Sequence, residues 1–131
     1  MLYDTSAFID YLRDHPIAVQ YFEQIRTDSL SAFCSVITVI TVTELWAGIR
    51  NNAEELEISV VLTKFDVLPV TRNIARLAGH LLQGRSPPER RAHFGDALIA
   101  ASAIEVGEPI LTADRGSERV FGGQANYLVY R

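Results

Sequence analysis

The chain has 131 residues, 48% of them apolar and 21% charged. That length suits one core of ordinary size, and the composition is too apolar for a disordered chain. The single cysteine, Cys34, excludes an intramolecular disulfide framework and a zinc site built from cysteines. Twelve basic against sixteen acidic side chains give a net charge of −4, which excludes nucleic-acid binding by bulk positive charge.

The longest apolar stretch, Val36 to Val42, falls far short of the roughly 20 residues that span a bilayer. The first residues include Asp4 and Asp10 and no basic leader, so no signal peptide is expected. A soluble, cytoplasmic protein with no membrane partner is the expectation.

Met1-Leu2-Tyr3 reads as a very short buried strand. Thr5 or Ser6 then caps a helix through Phe8, Ile9 and Leu12. Pro16 suits the first turn of a second helix, with Val19, Phe22 and Ile25 on one face. Phe33 to Thr38 is β-branched and aromatic, a second strand in which Cys34 is an inert core thiol. Thr41 or Thr43 opens a helix to Ile49. Glu54 to Lys64 predicts another, amphipathic through Leu56, Val60 and Phe65.

Phe65 to Leu68 is a short strand stopped by Pro69. Thr71 to Gln83 is helical, with Ile74, Leu77, Ala78 and Leu81 at helical spacing. Ser86-Pro87-Pro88 reads as a break. Phe94 to Val106 is an alanine-rich helix stopped by Gly107. Pro109 to Thr112 and Tyr127 to Tyr130 are the last strands, joined by a glycine-rich turn. This alternation predicts a three-layer α/β/α sandwich around a mostly parallel sheet of about five short strands, with residues 1–131 forming one domain.

In such sheets the site lies outside the carboxyl ends of the strands. Four acids fall there: Asp4 after the first strand, Glu44 in the first turn of the helix after the second, Asp96 near the start of the alanine-rich helix, and Asp114 two residues past Thr112. Each has a purely structural reading. Asp4 suits a helix cap or turn, Glu44 a capping-box partner of Thr41, Asp96 a helix-dipole partner, and Asp114 a surface turn. Together at one edge they repel, and a hard divalent cation such as Mg²⁺ or Mn²⁺ relieves that repulsion. Carboxylate-bound ions activate water and stabilise charge on phosphoryl oxygens. His15 and His80 read as surface residues and His93 as a loop residue. A receiver domain is disfavoured because Lys64, the one lysine, lies ahead of the middle strand, and an Asp-x-Asp phosphatase because that motif is missing after the first strand.

Leu2 to Ala7, Thr43 to Ile49, Asp96 to Ala101 and Leu111 to Arg115 together resemble the PIN-domain ribonucleases, specifically the VapC-type toxins of prokaryotic toxin–antitoxin pairs. The resemblance runs in order over almost the whole chain. It implies a Mg²⁺- or Mn²⁺-dependent endoribonuclease acting on RNA and inhibited by a cognate antitoxin. By motif, Asp4, Glu44, Asp96 and Asp114 are the acidic quartet, with Asp4 and Asp96 the metal ligands. Glu44 and Asp114 complete the set or position water. Thr5, Ser6 and Thr112 supply hydroxyls beside the acids. Asn often stands in the family where this chain has Asp114. Arg72, Arg76, Arg85, Arg90, Arg91 and Arg115 are candidate RNA contacts or parts of a solvated helix face and loop, and Tyr11, Tyr21, Phe22, Trp46 and Ile49 belong to the core or to an antitoxin or dimer surface. A homodimer or a toxin–antitoxin hetero-oligomer is expected. The alternatives are a catalytically inactive PIN-fold protein- or RNA-binding module, or an RNA-processing nuclease outside toxin–antitoxin systems.

Overall fold

The computed structural model describes residues 1–27 and 35–131. The predicted positions Phe33 and Cys34 lie outside the described residues. In chain order the elements are β1 (Leu2–Tyr3), α1 (Thr5–Leu12), α2 (Pro16–Thr27), β2 (Val36–Thr38), α3 (Val39–Ala47), α4 (Asn52–Leu62), β3 (Asp66–Leu68), α5 (Arg72–Leu82), α6 (Pro87–Ala92), α7 (Phe94–Val106), β4 (Ile110–Thr112), α8 (Arg115–Phe121) and β5 (Tyr127–Val129). The five strands form one sheet in the order β3-β2-β1-β4-β5, and every pairing is parallel.

Successive side chains of a strand point to opposite faces, and the register carries this across the sheet. Leu2 pairs with Val36 and Ile110, and all three face a core shared with Ile74, Ala78 and Leu82 of α5, the alanines of α7 and Phe121 of α8. Tyr3 pairs with Leu111, and with Ile37 both face the opposite core under α1 to α4. That second core is aromatic. Tyr3, Phe8, Phe22 and Phe65 meet largely edge to face, with Tyr3–Phe65 and Phe8–Phe22 centroids both 5.0 Å apart. Helices therefore cover both faces, as parallel strands require.

The structure differs from the sequence reading at four helices. Helix α3 starts at Val39, because the Thr38 hydroxyl caps it by accepting from Thr41 N–H at 3.1 Å. Glu44 thus sits in the second turn, and the Thr41–Glu44 capping box does not form. Helix α4 starts at Asn52 under an Asn51 cap and buries Ile58 and Val61, leaving Leu56 and Val60 in solvent. Ser86-Pro87-Pro88 starts α6 instead of breaking the chain, because proline at the first helical positions lacks only an N–H that would be unpaired anyway. Ser86 and Glu89 close a reciprocal capping box there. Finally, the expected turn after Asp114 is α8, capped by the Asp114 side chain.

One buried acid escaped the sequence reading. Asp10 on α1 is 5% exposed. It receives Arg131 Nε at 2.9 Å, Arg131 Nη2 at 2.8 Å and the Tyr130 hydroxyl at 2.9 Å. These bonds tie the end of α1 to the chain just beyond β5. His15, expected on the surface, is half-buried beside Tyr130, at 5.9 Å between rings. His80 is exposed and His93 half-buried.

Asp10→Ala strands three donors on two side chains. It is expected to cost about 2 kcal/mol in urea denaturation, less than breaking a fully buried pair because Arg131 is half exposed. Tyr130→Phe, which keeps the ion pair, is expected to cost less.

Candidate active site

Outward from β1, the chain order is β1, β2, β3 on one side and β1, β4, β5 on the other. The direction of winding changes between β1 and β4, and a crevice opens outside their carboxyl ends. Asp4 follows β1 and Thr112 ends β4, so both stand at this crevice.

Asp4 is nearly sealed from water, at 9% exposed. Its Oδ1 accepts Thr5 N–H at 2.8 Å, which also caps α1. Its Oδ2 accepts the Ser6 hydroxyl at 3.1 Å and the Thr112 hydroxyl at 2.8 Å. Those two hydroxyl oxygens are 2.9 Å apart. Each has one proton, so both turn their protons to Asp4 when it is ionised. Backbone N–H groups orient them: Ala113 N–H donates to Ser6 Oγ at 3.0 Å and Asp114 N–H to Thr112 Oγ1 at 2.9 Å. The hydroxyls of α1 and β4 thus hold Asp4 between them.

Thr5 extends the network in the other direction. Its Oγ1 lies 3.1 Å from Glu44 Oε1 and 3.3 Å from Thr41 Oγ1. Asp96 sits in the first turn of α7, with His93 Nδ1 3.9 Å from its Oδ2. The buried Ser117 hydroxyl also lowers the proton affinity of Asp96. Asp114 is exposed, and its Oδ1 accepts Gly116 N–H at 2.7 Å. Thr41, read from the sequence only as a helix cap, and Ser117 were not among the expected site hydroxyls. The only sequence trace of either is a hydroxyl at helical spacing from an acid, which is common in any chain.

The four carboxylates feel one another. Burial is the first cause that raises the Asp4, Glu44 and Asp96 carboxyls above their ordinary values. Asp4 repels both Glu44 and Asp96, Asp96 repels Glu44, and Asp114 repels Asp4 and Asp96. Hydrogen bonds from Thr112, Thr5 and Ser6 oppose the shift at Asp4 without reversing it.

The donor set is all oxygen and electrostatically unrelieved, which fits a hard divalent cation. Among the described residues, no three acid, imidazole or thiol side chains converge into a ready-made cage. Of the expected RNA contacts, Arg85 and Arg115 are engaged with the protein itself. Arg85 donates to the carbonyls of Leu81 and Val120 and lies 5.3 Å from the Phe121 ring centre. Arg115 donates to the Arg131 carbonyl at 2.7 Å. Phe22 is buried, Tyr11, Tyr21 and Ile49 pack half-buried against the second core, and Trp46 stays 41% exposed.

The family model described as PIN domain matches residues 1–122. The chain belongs to the PIN-domain family, among the VapC ribonucleases. It is 35% identical over 103 residues to Ribonuclease VapC10 of Mycobacterium tuberculosis, covering 79% of this chain and 74% of that one. Ribonuclease VapC19 of the same organism is 30% identical over 116 residues, covering 86% and 87%. Among solved structures, a toxin–antitoxin complex from Klebsiella pneumoniae superposes with a TM-score of 0.71 at 23% identity, over 98% of this chain and 95% of that one. In this PIN domain, among the described residues, no helix is long and apolar enough to cross a membrane.

The raised carboxyls fix a sign for stability. The folded PIN domain binds protons on Asp4, Glu44 and Asp96 more readily than the unfolded chain does. Their contribution to stability is complete below the ordinary carboxyl range, about pH 4, and is lost as pH rises through the raised values. Metal-free Asp4→Asn is therefore expected to melt at a higher temperature than wild type at pH 7, with the gap closing toward pH 4 in calorimetry. Mn²⁺ is expected to raise the wild-type melting temperature at pH 7 and leave that of Asp4→Asn nearly unchanged.

Proposed function

We propose that this PIN domain is a Mg²⁺- or Mn²⁺-dependent endoribonuclease that hydrolyses RNA phosphodiester bonds as the toxin of a toxin–antitoxin pair in the cytoplasm. The observation that carries the reading is the acid network at the β1–β4 crevice, in a chain of a family whose relatives are named ribonucleases. Asp4 and Asp96 hold the cation. Glu44 and Asp114 complete its surroundings or orient water. Thr5, Ser6 and Thr112 favour the ionised forms of Asp4 and Glu44 and aim the two carboxylates. A bound cation supplies charge stabilisation at phosphoryl oxygen and a more acidic water. A cognate antitoxin is the proposed partner, supported by the toxin–antitoxin complex with the same fold. The proposed assembly is a homodimer or a toxin–antitoxin hetero-oligomer.

The test is cleavage of RNA by the purified protein with Mg²⁺, with Mn²⁺ and with chelator. Cleavage is expected only with metal, and Asp4→Asn and Asp96→Asn are expected to abolish it. Ser6→Ala, which leaves every acid in place, is expected to lower it by about 10- to 100-fold. Activity is expected to fall in acid as the carboxylates protonate. Unchanged cleavage by Asp4→Asn and Asp96→Asn sinks the catalytic assignment, whereas RNA left intact by the wild type in metal leaves a binding module.

A further inference from the structure

Between α5, α6 and the start of α7 lies an open groove of about 590 Å³, lined by Gly79, Leu82, Pro87, Arg90, Arg91 and Phe94. Three observations give it a chemistry. Phe94 opens α7, the helix that carries Asp96 in its first turn, and is 61% exposed, an apolar side chain left in water. Arg90 and Arg91 occupy the last turn of α6, a helix with no buried residue. Their guanidinium groups meet no carboxylate among the described residues, whereas Arg50, Arg85, Arg115 and Arg131 are all engaged. The acid of α6, Glu89, is turned away to the Ser86 N–H in the capping box. A molecule of net charge −4 thus presents an acid-free, positively charged lining that reaches the start of the helix bearing Asp96.

An exposed aromatic ring flanked by unpaired arginines is how proteins hold unpaired nucleotides. The base stacks on the ring and the phosphates meet the guanidinium groups. We propose that this groove is a docking platform for single-stranded RNA: a nucleotide flanking the cleaved bond stacks on Phe94, and its phosphates bind Arg90 and Arg91. The inference rests on RNA being the substrate. It replaces the net charge that the chain lacks with a local field where the strand must enter. A second copy of the chain fits less well, because a two-fold contact through this patch sets its arginines against themselves.

The test measures binding of a short labelled single-stranded RNA by anisotropy in chelator, where no cleavage occurs, with the duplex of the same sequence as control. Phe94→Ala is expected to weaken single-strand binding about tenfold, and Phe94→Trp to retain it. The double variant Arg90→Ala/Arg91→Ala is expected to flatten the dependence of log affinity on log salt by about 1.4, since each phosphate neutralised on a single strand accounts for about 0.7. In metal, the Phe94→Ala loss is expected in KM. Equal affinities for wild type and Phe94→Ala, no wild-type binding, or a dimer that Phe94→Ala dissociates without changing RNA affinity overturns the platform. Metal-dependent cleavage with affinity insensitive to these changes overturns the platform alone. Binding that needs Phe94, without any wild-type cleavage, overturns the nuclease reading and keeps the platform.

Discussion

Asp4 is a carboxylate at the end of the strand between β2 and β4, almost out of reach of water and within the field of three other acids. Keeping a charge there is costly, and the surroundings are arranged around that cost. Thr5 N–H, Ser6 and Thr112 all donate to it. The two hydroxyls come from residues 106 apart in sequence, so the contact exists only when α1 and β4 stand side by side. The parallel sheet provides this, because β1 pairs directly with β4 through Leu2–Ile110 and Tyr3–Leu111. Stability and chemistry oppose each other at this point: a protonated Asp4 suits the fold, and an ionised one suits a cation.

Helix α1 carries this constraint into the rest of the molecule. Its first turn supplies Thr5 and Ser6 to the acids. Its fourth and fifth residues, Phe8 and Ile9, lie over the aromatic core and at the surface respectively, with Phe8 2% and Ile9 38% exposed. Asp10 then fastens to Arg131 and Tyr130 beyond β5. The Arg131 carbonyl in turn accepts from Arg115 in the first turn of α8, the helix capped by Asp114. Both ends of α1 therefore connect to the loop that holds Asp114, one through Ser6 and Thr112 and the other through Arg131 and Arg115.

The arginines divide by environment. Arg85 and Arg115 bind carbonyls and help lock α8 in place. Arg90 and Arg91 lie on a short helix with no buried residue and are left to solvent. Charge counting along the chain treats these residues alike. Only packing separates those that hold the protein together from those open to an anionic partner.

The strands and most helices were legible because burial imposes short-range patterns: apolar runs such as Ile110-Leu111-Thr112, and helical spacing such as Ile74 with Ala78. At α3 and α4 the misread details share one cause. The β-branched run Val39 to Thr43 favours a strand locally, and Leu56 and Val60 look like a core face, yet the packing of α3 and α4 decides both. Periodicity and order along the chain were enough to indicate the fold class and the sheet edge on which Asp4, Glu44, Asp96 and Asp114 fall, and the resemblance of four motifs indicated the family. Packing in three dimensions was needed to show which hydroxyls hold Asp4, that Asp10 is a buried anchor and that Arg90, Arg91 and Phe94 remain open. Those depend on which distant side chains become neighbours, and one residue's burial is set by all the elements packed around it.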